Sequence, residues 1–237
     1  MQRPTYDLQT DLVAGANAPF YVKILVRTQT KEQNMAIPAR VLKQLGHPSG
    51  LTGRLILRML NRVNSNMNSH ALAALDIRAQ DKVLEIGFGG GALMADILAA
   101  EQSILATGCD ISKLAVRSAR RRFKADKRAR FEHISGENLP YDNSQFTKVV
   151  GVNVIYFWQD QRKLLGEVLR VLENGGRVVI CYSEYGPKDG SEFKVKEIES
   201  QLRSVGFENL QSSPIAASET DSHYCTVGFK PDVSPAE

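Results

Sequence analysis

The 237-residue chain reads as an α/β protein. The expected core is a seven-stranded, mostly parallel sheet with helices on both faces and an antiparallel terminal strand, preceded by a mainly helical N-terminal extension. Three observations predict this. From Asp81 onward, short apolar runs alternate with amphipathic stretches, the pattern of βαβ units. The first run ends in a cluster of glycines that opens a helix. Two further apolar runs close the chain near each other in sequence, as an antiparallel pair would.

The elements follow in order. Lys82 to Ile86 (KVLEI) is short and apolar enough for a buried strand, and Ala92 to Ala100 reads as a helix. Ser103 to Cys109 is a second strand. Ser112 to Lys124 is a second helix, with Leu114, Ala115, Ala119 and Phe123 on one side. Ala129 to Ile134 and Phe146 to Val154 are strands three and four. Gln161 to Leu172 is a helix that Asn174-Gly175-Gly176 is expected to stop. Arg177 to Tyr182 is the fifth strand, Lys194 to Val205 a helix stopped by Gly206, and Phe207 to Gln211 and His223 to Phe229 the closing strands.

Upstream the texture changes. Phe20 to Val26 is apolar without a clear period, Pro38 can start a helix through Leu45, and residues 46–53 are punctuated by Gly, Pro and Ser. Arg54 to Val63 reads as an amphipathic helix, with Leu55, Ile56, Met59, Leu60 and Val63 on one side. Arg54, Arg58 and Arg62 recur every four residues on another. The expected division is an N-terminal extension and lid at 1–80, a ligand-binding domain at 81–230 and a loose tail at 231–237.

Composition excludes several classes. Apolar residues at 43% and charged residues at 24% match an ordinary globular chain and rule out wholesale disorder. Cys109, Cys181 and Cys225 are widely spaced with no C-x-x-C pair, so no zinc or thioredoxin-like site is supported and no metal is expected. Each sits in or beside an apolar run, as a buried free thiol would. The N-terminus has no apolar signal core and no apolar run reaches 18 residues. The expectation is a soluble, cytoplasmic protein.

The informative segment is Val83 to Gly91, VLEIGFGGG. A buried strand running into glycines and then a helix N-terminus lets the backbone approach a ligand and offers it free N–H groups. Gly87, Gly89 and Ala92 satisfy G-x-G-x-x-A, the dinucleotide fingerprint, with Asp110 about twenty residues on. The same segment resembles motif I of the class I S-adenosylmethionine-dependent methyltransferases, E-x-G-x-G-x-G, with Glu85, Gly87, Gly89 and Gly91 matching. Leu139, Pro140, Tyr141, Ser144 and Phe146 resemble that family's approach to strand four. Val171-Leu-Glu-Asn-Gly-Gly-Arg-Val resembles its turn into strand five, and the closing strand pair resembles its antiparallel end. The resemblance covers residues 81–230. Residues 46–80 resemble a bacterial subgroup of unassigned substrate.

The resemblance implies a Rossmann-like fold and methyl transfer from S-adenosylmethionine to a small-molecule acceptor. By it, Glu85 and the glycines lie near the cofactor's methionine end. Asp110 lies at the ribose, where a carboxylate can accept two hydrogen bonds from a vicinal diol. Ile111 lies against the adenine face, Ser135, Gly136 and Glu137 edge the adenine, and Asn153 borders the methyl group. Ser135 stands where the family often has an Asp, and Thr147 where it often has another. Tyr156, Trp158, Glu184 and Tyr185, past strands four and five, are candidates for the acceptor pocket. His70 and His133 are candidate bases, needed only if the acceptor keeps a proton, and His70 and Tyr156 are the catalytic candidates. A nicotinamide-dependent oxidoreductase and a non-catalytic cofactor-binding partner protein remain as alternatives.

Nucleic acid is not an expected substrate. The loop after strand four, Asn153-Val154-Ile155-Tyr156, lacks the prolines of base amino-group methyltransferases. No cysteine sits in a loop suited to attack on a cytosine ring. The formal charge of +4 conceals its distribution. Residues 1–80 hold ten basic and four acidic residues, and Arg117 to Arg130 holds eight basic and one acidic. The rest of the chain is therefore acidic. The run at 117–130 reads as a solvated helix face. The stripe of Arg54, Arg58 and Arg62 could draw an anionic ligand or make weak contact with a membrane surface. Oligomeric state is not legible.

Overall fold

The computed structural model describes residues 53, 57, 61, 62, 64–135, 138–184, 194–215 and 222–232. Strands β1 (Lys82–Ile86), β2 (Leu105–Asp110), β3 (Ala129–His133), β4 (Phe146–Val152), β5 (Leu172–Ser183), β6 (Glu208–Ile215) and β7 (His223–Phe229) form one sheet. Its order is β3-β2-β1-β4-β5-β7-β6. β1 to β5 pair in parallel, and β7 runs antiparallel between β5 and β6. The sheet expected from the sequence is the one observed. No helix among the described residues is long and apolar enough to cross a membrane.

Helices α1 (Ser65–Leu75), α2 (Ala92–Ala100), α3 (Lys113–Arg122), α4 (Gln161–Val171) and α5 (Val195–Val205) cover both faces. The period of two along each strand sorts the core into two layers. Val83, Val150, Val152, Val179 and Cys181 face α1, α2 and α3, where Ala71, Leu75, Met94, Ile97 and Val116 complete the packing. Leu84, Val149, Val178, Ile180 and Tyr182 face α4 and α5, against Leu165, Val168, Ile198 and Leu202. All three cysteines are buried and free.

Local chemistry sets the helix ends. Ser112 caps α3 by accepting from Ala115 N at 3.2 Å, and Asp160 caps α4 by accepting from Lys163 N at 2.9 Å. Gly206 ends α5 in the left-handed conformation, as expected. α2 starts at Gly91 with no side-chain cap, leaving its first N–H groups without that partner.

Two expectations require correction. α1 was not expected as an element of its own, yet Met67, Asn68, Ala71 and Leu75 are buried and the helix packs on β4, β5 and β7. Its C-terminal end is tied beneath the sheet: Lys148 Nζ donates to Asp76 O at 2.7 Å and Arg177 to Ala74 O at 2.6 Å. The second correction concerns Asn174-Gly175-Gly176. The helix ends at Val171, Leu172 is already extended, and the three residues form an irregularity within β5. Leu172 pairs with Phe146 and Arg177 with Lys148, so the intervening residues are squeezed out as a bulge. Lys230 pins them, accepting from Gly175 N at 3.1 Å and donating to Gly176 O at 2.9 Å.

The expected segments at 20–26 and 38–45, residues 233–237 of the tail expected at 231–237, and Arg54 and Arg58 lie outside the described residues. Gly53, Leu57, Asn61 and Arg62 are helical, in keeping with the helix expected at 54–63. Arg62 is exposed.

Candidate active site

The order β3-β2-β1-β4-β5 reverses direction between β1 and β4. The crevice beyond the carboxyl ends of those strands is where open α/β sheets bind ligands. The glycine loop leaves β1 on one side of it and Asn153 leaves β4 on the other.

Gly87, Gly89 and Gly91 have φ of +72°, +50° and +68°, a region costly for other L-residues. Gly87 N donates to Cys109 O at 2.7 Å, which ties the loop to the end of β2. A Cβ on Gly87 would run into the Val154 side chain. That close approach brings the loop after β4 against the loop after β1.

Asp110 ends β2 with 9% exposure. Its Oδ2 accepts from Gly89 N at 2.9 Å and its Oδ1 from Ser112 N at 2.7 Å. The carboxylate is thus oriented by two backbone donors beside the glycine loop.

Glu85, at the end of β1, is 4% exposed, and its Oε2 has no hydrogen-bond partner. Burial, with the nearby Asp110 and Asp96 carboxylates adding to it, pushes its pKa up to about 8. An orphaned carboxyl oxygen among two further carboxylates suits a cationic group, which would supply the missing partner and charge. Glu85 and Asp110 together fit a ligand that carries both a cation and a diol.

Asn153 is buried, with φ +55°, a conformation Asn tolerates better than most residues. Three hydrogen bonds hold it there, and its neighbour Val154 is itself packed. Asn153 N donates to Cys181 O at 2.8 Å and its Nδ2 to Asn64 Oδ1 at 3.0 Å. Its Oδ1 accepts from Tyr156 Oη at 3.1 Å, and Val154 beside it packs over Gly87.

The other candidates fall in different places. Tyr156 is 7% exposed. Its hydroxyl also lies 3.0 Å from Ser183 O, so its single proton is shared between that carbonyl and Asn153 Oδ1, and it accepts from Ser183 N. These bonds brace the ends of β4 and β5. Trp158 is half-buried and packs with the α4–α5 layer. Glu184 is half-buried, its N donating to Ser222 O at 2.8 Å. Ile111 is half-buried and its carbonyl accepts from His133 Nε2 at 2.9 Å. Ser135 is exposed, its carbonyl accepting from Asn138 N at 3.3 Å. Gly136, Glu137 and Tyr185 lie outside the described residues. His70 sits mid-way along α1 with Nδ1 donating to Asn66 O at 2.9 Å. It is six residues beyond Asn64, about 9 Å along the helix axis.

Asn61, Asn64, Val154 and Arg122 bear on the site and were not singled out from the sequence. Arg122 Nη1 donates to Gly90 O at 3.2 Å and Gly91 O at 3.1 Å, with its guanidinium 5.0 Å from the Phe123 ring. Within the same basic run, Arg120 Nε binds Phe131 O at 2.8 Å, and Arg128 Nη1 binds Leu98 O and Glu101 O at 3.0 Å each. The run is largely exposed, as expected of a solvated face, yet three of its arginines also hold backbone carbonyls. A charge count cannot distinguish these from purely solvated ones.

Comparison with known proteins places this geometry. The family described as a methyltransferase domain matches residues 84–180. The uncharacterized methyltransferase YdaC of Bacillus subtilis is 32% identical over 151 residues, which is 62% of this chain and 82% of the relative. Among solved structures, the protein bound to the Trm112 methyltransferase activator in a Haloferax volcanii complex superposes with a TM-score of 0.66 at 19% identity. That match covers 74% of this chain and 93% of the other. Haemonchus contortus phosphoethanolamine N-methyltransferase 2, solved with S-adenosyl-L-methionine, superposes with a TM-score of 0.63 at 15% identity, over 70% of this chain and 52% of that one. These two likenesses show the shared fold. The family match and YdaC, together with the glycine loop, Asp110 and the strand order, establish that the chain belongs to the class I S-adenosylmethionine-dependent methyltransferases.

Proposed function

We propose that this protein transfers a methyl group to a small-molecule acceptor by in-line displacement, with positioning as its main catalytic device. When bound, S-adenosylmethionine supplies a methyl group already activated by its sulfonium. The observation that carries the reading is the juxtaposition of an orphaned Glu85 oxygen with Asp110 at the glycine loop. Asp110 would accept from the ribose hydroxyls. Glu85 would face the cationic methionine end, with Gly87, Gly89 and Gly91 shaping the backbone between them. Ile111 and the segment Ser135–Glu137 would border the adenine.

The acceptor would enter beside Asn153, bounded by Trp158, Glu184 and Tyr185. The Tyr156 hydroxyl is consumed by Asn153 and Ser183, and His70 lies well along α1. Neither is placed to take a proton from an acceptor, which favours an acceptor that attacks without a protein base. The stripe of Arg54, Arg58 and Arg62, read from spacing alone, favours an anionic acceptor. Residues 81–230 would carry the chemistry and residues 1–80 would cover the cleft.

Isothermal titration tests the cofactor step. Stoichiometric binding of S-adenosylhomocysteine to folded protein is expected, and none would overturn the reading. Labelled S-adenosylmethionine in a metabolite extract tests the transfer, with label expected in a small molecule. Full cofactor occupancy without turnover would indicate a non-catalytic partner protein, and binding of a reduced nicotinamide instead would indicate an oxidoreductase.

A further inference from the structure

The segment before α1 reaches both lips of the crevice within one turn of chain. Leu57 and Asn61 lie one helical turn apart and lie across the glycine loop. Leu57, 4% exposed, comes within 4.0 Å of the position a Cβ would take on Gly89. Asn61 Nδ2 donates to Gly90 O at 3.3 Å, and a Cβ on Gly90 would run into the Asn61 amide. Three residues on, Asn64 stands at the N-cap position of α1 without a side-chain capping bond, and its Oδ1 accepts from Asn153 Nδ2 at 3.0 Å. One asparagine therefore grips the loop after β1, and the other grips the residue after β4.

The two amides have opposite duties. Asn61 must donate, because its partner is a carbonyl. Asn64 must accept, because its partner is an amide N–H. Asn153 sits at φ +55°, a conformation that persists only where neighbours over-determine it, and the Asn64 bond is one of the constraints that do so. The glycine loop, with three residues at positive φ, is anchored on the β2 side by Phe88 packed on Phe131 and by the Gly87–Cys109 and Gly89–Asp110 bonds. Its carbonyls at Gly90 and Gly91 are held by Asn61 and Arg122.

We propose that Asn61 and Asn64 are paired positioning residues: they latch the glycine loop to Asn153 and so fix the cleft that holds the cofactor. The inference rests on the methyltransferase reading and adds to it that the segment before α1 is part of cofactor affinity. A second consequence is that the pair responds oppositely to the same substitution. Asn61→Asp removes the donor and sets a carboxylate against Gly90 O. Asn64→Asp keeps the accepting oxygen.

The test measures S-adenosylhomocysteine affinity by titration and, in ligand-free protein, amide hydrogen exchange over Gly89–Ala92 and Asn153. Asn61→Asp and Asn64→Leu should each weaken binding by about tenfold or more and speed exchange in both segments. Asn64→Asp should stay within about threefold of wild type in affinity and leave exchange unchanged. If exchange is unaltered in all three variants, or if both aspartates behave alike, the latch is overturned. If wild type binds no S-adenosylhomocysteine while exchange follows the stated pattern, the latch stands as a constraint on the loops. That result overturns the cofactor reading instead.

Discussion

Gly89 and Asp110 are joined on one side of the crevice: the amide of Gly89 donates to Asp110 Oδ2 at 2.9 Å, linking the loop after β1 to the end of β2. The bond fixes the carboxylate and part of the glycine loop at once. A change at Asp110 therefore acts on the ligand and on the backbone that would surround it.

Asp110→Ala removes two hydrogen bonds from backbone N–H groups and the acceptor for a diol. The loss of one buried, charge-assisted bond to ligand is worth about 1–3 kcal/mol. Cofactor affinity should fall by roughly five- to 150-fold, accompanied by a lower melting temperature without ligand. Titration calorimetry checks the first and a thermal melt the second. Unchanged affinity would remove Asp110 from the site.

Glu85 gives a pH signature. Its pKa is raised from 4.5 to about 8, so its contribution to ligand-free stability is fully present below pH 4.5 and is lost as pH rises through 8. Glu85→Gln should flatten that loss. A cation placed beside Glu85 lowers its pKa, so binding near pH 7 should release protons and tighten as pH rises towards 8. Calorimetry in buffers of different ionisation enthalpy reads the release. Proton uptake would contradict the assignment.

Tyr156→Phe tests brace against base. The variant loses the hydroxyl that bridges Asn153 Oδ1 and Ser183, a buried loss of about 1–3 kcal/mol. A lower denaturation midpoint is expected, with weaker cofactor binding following from a looser Asn153. A proton-abstracting role would instead leave stability intact and abolish turnover with an acidic acceptor.

Two glycines should respond in opposite directions to alanine. Gly87→Ala meets Val154 and a φ of +72°, so a loss of more than about 1–2 kcal/mol is expected from the backbone alone. Gly166 lies inside α4 with nothing within 4 Å of a new Cβ. Gly166→Ala should raise stability by about 0.5–1 kcal/mol and leave cofactor affinity unchanged. Denaturant titration separates the two.

The Lys148–Asp81 pair holds the other end of the sheet, 3.3 Å apart with side chains 8% and 10% exposed. Asp81 also accepts from Arg78 N at 2.7 Å and Thr147 Oγ1 at 2.8 Å. Burial pulls the Lys148 pKa below its ordinary value, against the attraction of Asp81. Asp81→Ala leaves a buried ammonium without its counter-ion and should cost about 3–5 kcal/mol. S-adenosylhomocysteine affinity of the remaining folded protein should not change, since the pair is remote from the crevice.

Sequence alone determined the alternation of strands and helices, the helix starts at Ser112 and Gln161, the Gly206 stop and the glycine loop with its acid at Asp110. These rest on periodicity, caps and turn chemistry, which act between neighbours in the chain. The same local logic placed a helix stop at Asn174-Gly175-Gly176. Pairing with Phe146 and Lys148 overrode it and made those residues a bulge in β5. Only the tertiary structure decided that α1 packs on the sheet, that Tyr156 spends its hydroxyl on Ser183, and that Asn64 meets Asn153 across 89 positions of sequence. An asparagine carries no pattern that announces its partner. Its donor and acceptor acquire their roles only when the fold brings a carbonyl or an amide within about 3 Å.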